Sequence, residues 1–316
     1  MLRPLIILLY YIPTFCLAQE GFNPKISYAL ETYAFLKGQD AALEKVVGQF
    51  PKLSADVRAA EKKLDKAFGQ AEYNINQYLK KELEYSQLQK FHKQIDSLLD
   101  IELQYPVEKE SHAKEFLKQV VQRPENIYGS AVSKGILSFK YHNEPHQEIL
   151  DGHVNIFETK DHPKADNVSI SVPIPASWLA EETAMPQTIQ QFTSCNGNGT
   201  EKIFVVLHDL PDDYGRLELN TNTITNFLSP QSNLIRTEPV SIDGVPGYMA
   251  EVEELIEFGG RTMKIRMLQF LVVKNQKLYC IQGSTLPSLT VANLEPMIRK
   301  NEKLFRLIAD RTDLDN

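Results

Sequence analysis

The sequence predicts an α+β protein, an N-terminal helical hairpin or small bundle followed by an antiparallel β-sheet flanked by helices. Two observations carry this. Up to about residue 122, apolar residues recur in alternating steps of three and four, the spacing of a helix face. After Gly135 the pattern changes to short alternating apolar runs punctuated by turn-forming residues, the grammar of strands.

The first residues precede both halves. Met1-Leu2-Arg3 supplies one positive charge, Pro4 to Ala18 is uncharged and apolar, and Cys16-Leu17-Ala18 offers small side chains ahead of a cut at Gln19. This is the layout of a cleaved secretory signal. The run is shorter than the ~20 residues a membrane-spanning helix needs, so no stable membrane insertion is expected. Bulky Phe15 and Pro13 stand where a lipidated Cys16 would want small and aliphatic residues. The expectation is an exported protein, periplasmic or secreted, with residues 1–18 removed near Ala18.

Lys and Arg number 34 against 41 Asp and Glu, a net charge of −7, which argues against nucleic acid as a partner. Cleavage would leave two cysteines, Cys195 and Cys280, a candidate disulfide in an oxidising compartment or else two buried thiols.

The helical region is expected over 19–123. Pro51 and Ser54 give a start signal, with Ser54 as N-cap. One stripe then runs through Val57, Ala60, Leu64, Phe68, Ala71, Ile75 and Leu79. A second passes Leu88, Phe91, Ile95, Leu98 and Leu99, and a third Phe116, Leu117, Val120 and Val121. Interspersed charges of both signs suit solvated outer faces. A coiled coil made with a partner chain is the alternative arrangement. Pro124 and the polar stretch to Lys134 read as a linker, and 135–316 as the second domain.

In that domain ILSFKYH, HVNIFET, VSISVPI and KIFVVLHD read as strands, with helices at 186–192, 221–228 and about 289–309. The clearest local structure is EVEELIEFGGRTMKIRMLQFLVV. A turn at Gly259-Gly260 pairs Phe258 with Arg261, Ile256 with Met263 and Val252 with Met267, and on the other face Glu253 with Arg266 and Leu255 with Lys264. Asn275-Gln276 offers a second tight turn that sets Cys280 opposite Leu271.

Four segments, in order, carry a resemblance: SVPIPASW (Ser171 to Trp178), IDGVPGY (Ile242 to Tyr248), LYCIQGS (Leu278 to Ser284) and EKLFRLIAD (Glu302 to Asp310). Over about 168–310 the chain resembles the PsbP-like superfamily, which includes an extrinsic photosystem subunit, a nuclear-import accessory protein that binds a small GTPase, and bacterial envelope proteins of undefined role. The resemblance implies an antiparallel sheet with helices on both faces, and a tryptophan that packs where the next segment crosses the first strand's end. Trp178, the only tryptophan, is therefore expected to plug the core rather than to floor a binding site. The helical half has no counterpart in that family.

No GxSxG, HExxH, CxxC or complete phosphate loop is present, and no cofactor is called for. GNGTEK, from Gly197 to Lys202, reads as a turn. His142, His146 and His153 fall close enough in sequence to suggest zinc or copper, yet Pro145 prevents one helix face from carrying the first two. Asp209, Asp212, Asp213 and Glu218 gather after a strand, where carboxylates hold cations or work as an acid/base pair. Pro211 and Tyr214 spoil the spacing of a calcium loop, and solvated loops are the simpler reading of both clusters. Asn167 and Asn198 begin N-glycosylation sequons. The functional expectation is an exported non-catalytic accessory or binding protein of the envelope or extracellular space, acting on another protein. The rivals are a metal-dependent hydrolase built from the Asp209–Glu218 loop and the nearby histidines, and a helical stalk that homo-oligomerises to present the sheet domain.

Overall fold

The computed structural model describes residues 23–126, 129–165, 168–210, 218–258, 261–286 and 293–314. The segment 1–18, Asn167, Asp212, Asp213 and the Gly259-Gly260 turn lie outside them. The chain divides into two compact units between Asn143 and Glu144, beyond the 124–134 linker that the polar stretch suggested.

Unit 1 is helical and is built around α1, Pro24–Gln49. Its start is fixed locally: Pro24 needs no N–H partner, and the Asn23 side chain accepts from Lys25 N at 3.0 Å. Ala29, Leu30, Ala34, Leu43 and Val46 are buried along its length, so α1 is the hub of the unit. Around it lie α2 (Ser54–Phe68), α3 (Ala71–Glu82), α4 (Tyr85–Leu103), α5 (Glu110–Gln122) and α6 (Ala131–Lys140). Of the stripes read from the sequence, Val57, Ala60, Leu64, Phe68, Ala71, Ile75, Leu79, Leu88, Ile95, Phe116, Leu117 and Val120 are buried, whereas Phe91, Leu98, Leu99 and Val121 are half-buried.

Three local readings differ. The stripe from Val57 to Leu79 is two helices, broken where Gly69 caps α2 and Gln70 turns left-handed at φ 76°. Ser54 is not an N-cap acceptor; its hydroxyl donates to Pro51 O at 2.6 Å, continuing the short 3-10 turn before α2. ILSFKYH is not a strand: Ile136 to Lys140 belong to α6 and Tyr141 caps it. Leu137, Phe139 and Tyr141 alternate as a strand would, but Ser130 Oγ accepts from Ser133 N and opens a helix instead. Gly135 lets α6 approach α1: a Cβ there would stand 2.5 Å from Thr32 Oγ1.

Unit 2 holds a short helix α7 (His146–Leu150), two antiparallel sheets, and helices α8 (Thr221–Phe227) and α9 (Glu295–Asp310). The small sheet is ordered β1 (Val154–Glu158), β2 (Ile170–Pro175), β10 (Asp313–Leu314). The large one has seven strands in the order β3 (Leu179–Glu181), β4 (Thr188–Thr193), β5 (Glu201–Asp209), β9 (Lys277–Thr285), β8 (Arg261–Lys274), β7 (Val245–Phe258), β6 (Ser232–Ile242). The β7–β8 register is the one the sequence dictates, from Phe258↔Arg261 through Val252↔Met267, and Cys280 pairs with Leu271. Residues 188–192, read as part of a helix, belong to β4; pairing with β5 overrides a local preference that glutamines leave weak.

The large sheet is covered on both faces. One face buries Val205, Met249, Leu268, Phe270, Val272 and Ile281 against β2 and α9. The other buries Ala250, Val252, Met267, Leu271 and Cys280 with Ile224 of α8. Trp178 is 6% exposed and belongs to the first cluster. The turn that carries it is anchored by the buried Glu148 carboxylate, which accepts from Ser177 N at 2.8 Å and Ser177 Oγ at 2.9 Å. Gly283 makes room for α9, since a Cβ there would lie 2.2 Å from the Phe305 ring.

Candidate functional site

The site is built from α9. Ile298, Leu304, Phe305 and Ile308 point into the core, which turns Arg299, Glu302, Lys303 and Arg306 toward β6, β7 and α7. Beneath them lies Glu251 of β7, 0% exposed and fully engaged. It accepts from Arg236 Nε at 2.5 Å, Arg266 Nε at 2.7 Å and Arg299 Nη2 at 2.7 Å. Glu302 links Arg236 at 2.8 Å to Arg306 at 2.7 Å, and Arg306 also pairs with Glu238 at 2.6 Å. Glu295 joins Arg266 and Arg299. Four arginines and four glutamates thus fasten α9 to the sheet. Burial alone would raise the Glu302 carboxyl, but hydrogen bonds from Arg236, Arg306 and Arg299 outweigh it and bring it down to about 2. Glu251 is lowered for the same reason, its burial opposed by the same kind of guanidinium bonds.

Beside this network runs a groove of about 510 Å³ between α7, β6 and α9. Val240, Ile242, Phe270 and Leu307 give it an apolar floor, and Leu150 of α7, 47% exposed, forms one lip. Lys303, Arg306, His146 and Asp310 supply its polar rim. Lys303 makes no ion pair among the described residues, and Arg306 spends only Nε and Nη2 on Glu302 and Glu238. The groove suits a ligand with apolar groups and a negative charge. Its Ser241 and His146 side chains make no hydrogen bond to one another among the described residues.

The residues singled out in the sequence are dispersed. His142 belongs to unit 1, where its ring packs 5.4 Å from Tyr78 and 6.1 Å from Phe139. His146 lines the groove. His153 serves through its backbone, donating to Glu148 O and accepting from Ala176 N, each at 3.0 Å. Asp209 ends β5, its side chain 77% exposed and paired with Lys277 at 2.6 Å. Among the described residues no three His, Cys, Asp or Glu side chains converge to hold a metal ion. Asp212 and Asp213 of the Asp209–Glu218 loop lie outside the described residues.

Cys195 and Cys280 are both buried and are not bridged to each other in this structure. Ser194 N bonds to Glu201 O, Glu201 pairs with Thr285, and Thr285 stands five residues along β9 from Cys280. At ~3.4 Å per residue that separates the cysteines by roughly 17 Å, against a Cα spacing of ~6 Å for a bridge. Burial pushes the Cys280 thiol up to about 12.

The groove and the Glu251 network were missed from sequence. A signal was present: the register that pairs Glu253 with Arg266 also puts Glu251 on their face, and a helix covering that face would bury it.

No family model matches the sequence, and no curated protein does. Solved structures are similar over part of the chain. Cyanobacterial PsbP (CyanoP) from Synechocystis sp. PCC 6803 is 18% identical, with a TM-score of 0.38 over 51% of this chain and 92% of that one. LpqN, involved in cell envelope biogenesis of Mycobacterium tuberculosis, is 12% identical, with a TM-score of 0.33 over 53% and 95%. The Saccharomyces cerevisiae Ran-binding protein Mog1p is 12% identical, with a TM-score of 0.33 over 51% and 96%. The likeness is one of fold.

Proposed function

We propose that this chain is an exported, non-catalytic binding protein of the cell envelope or extracellular space, and that its second unit acts by engaging another protein. The observation that carries this is the groove between α7, β6 and α9, with an apolar floor and an unpaired Lys303 at its rim. Such a surface offers shape, apolar contact and charge, and it brings no reactive constellation with them. The apolar N-terminal run supports export. Among the described residues no helix is long and apolar enough to cross a membrane.

The test compares the proteins that co-purify with the parent chain, with Leu150→Glu, and with Asn226→Glu. Leu150 is an exposed lip of the groove, so a carboxylate there disturbs recognition without entering the core. Asn226 lies exposed on α8, over the opposite face of the sheet. A partner retained by the parent and by Asn226→Glu but lost from Leu150→Glu is the expected result. An unchanged set in all three overturns the reading.

A further inference from the structure

The groove runs along a sheet edge whose hydrogen-bonding groups can be worked out. β6 is the last strand of the seven. It joins β7 through Asp243 and Gly244, both at positive φ, with Ile242↔Val245 as the closing pair. In a two-residue hairpin the closing pair exchanges hydrogen bonds, and so does every second pair after it. Val240↔Gly247 and Glu238↔Met249 therefore bond inward, and Thr237, Pro239 and Ser241 turn their N–H and C=O groups outward. Pro239, which has no N–H, sits at an outward position, as an edge proline must. Outside the β6–β7 ladder, no backbone bond among the described residues reaches Thr237 or Ser241.

The side chains at Val240 and Ile242 face α9 and line the groove. A strand laid on the β6 edge would continue that face, so every second side chain of the newcomer would lie over the groove. There it would meet the apolar floor and, at the rim, the unpaired Lys303 ammonium and the open Nη1 of Arg306.

We infer that the groove is a strand-addition site for an extended segment of a partner protein that alternates apolar side chains with an acidic one on the groove-facing side. This rests on the binding function proposed above and specifies its mode. Backbone bonds to Ser241 and Thr237 supply affinity, and the groove reads the alternate side chains. Charge fixes the register. One carboxylate complements Lys303 and Arg306, whereas Asp310 at the rim disfavours an acidic run. Pro239 withdraws a donor mid-strand and keeps the pairing short. The same features argue against a second copy of this chain, because pairing β6 with β6 would set Lys303 and Arg306 near their own copies.

The probe is a capped heptapeptide in which threonines alternate with valine, aspartate and valine, titrated into the full chain labelled with nitrogen-15. The Thr237 and Ser241 amide signals should shift and saturate. Replacing the peptide's aspartate by lysine, or Lys303→Glu in the protein, should weaken binding about tenfold, the scale of one charge-assisted hydrogen bond. Ser241→Pro should weaken it similarly, since it removes only an outward N–H. Lys303→Glu, at an exposed position, serves if Ser241→Pro fails to fold. Binding indifferent to both protein variants overturns the inference, and so does a chain whose dimerisation is abolished by Ser241→Pro. A peptide that shifts nothing, while Leu150→Glu still strips a co-purifying partner, overturns strand addition and leaves the binding function standing.

Discussion

Glu251→Gln is the perturbation that reads most directly on how α9 is held. The substitution keeps the side chain's volume and removes its charge, leaving three guanidiniums that converge on a site with 0% exposure. Breaking a buried ion pair in this way costs about 3–5 kcal/mol. The lower end applies, because Arg236 and Arg299 are partly exposed and keep Glu238, Glu295 and Glu302. A loss of about 3 kcal/mol lowers the midpoint of a unit this size by about 6–12 °C. The assay is thermal unfolding followed by tryptophan fluorescence. Trp178 is the only tryptophan and is buried in the core that α9 covers, so the signal belongs to unit 2 alone. A midpoint within about 1 °C of the parent would refute the reasoning, since a network of this kind cannot lose its central charge for less than ~0.5 kcal/mol.

Other consequences are equally open to measurement. The Glu302 carboxyl sits at about 2 when folded against an ordinary 4.5, so the unfolded chain binds the proton first. Its stabilisation is therefore full above pH 4.5 and is lost as pH falls toward 2, and Glu302→Gln should flatten that part of a stability–pH curve. Gly283→Ala drives a methyl group into the buried Phe305 ring and should cost about 2 kcal/mol, read in the same fluorescence melt. Alkylation after unfolding without reductant should label both Cys195 and Cys280 by mass spectrometry, while the folded protein should leave Cys280 unlabelled.

How far the sequence reaches depends on where each residue finds its partners. The β7–β8 hairpin was legible pair by pair because its register follows from one turn and a two-residue period. The helical stripes were legible because a 3.6-residue period survives a break such as Gly69-Gln70. The four segments quoted for the resemblance fall on β2 and Trp178, the β6–β7 turn, β9 and α9. Leu137, Phe139 and Tyr141 misled because a helix buried nearly all round loses its polar face and leaves alternation by accident. β4 misled because its conformation comes from β5. The groove was invisible for a stronger reason: His146, Val240 and Lys303 come from three separate parts of the chain, and only the crossing of α9 over β6 brings them together. Glu251 is intermediate, since the hairpin register fixes its face and the network needs α9.

The most direct test of the binding function is contact in the intact source. A photo-activatable side chain placed at Leu150 on the groove lip, and separately at Asn226 on α8, reports what touches each face. An adduct with a second protein at Leu150 that Lys303→Glu abolishes, with none at Asn226, is the predicted result. Identical adducts at both positions, or none at Leu150, would contradict it.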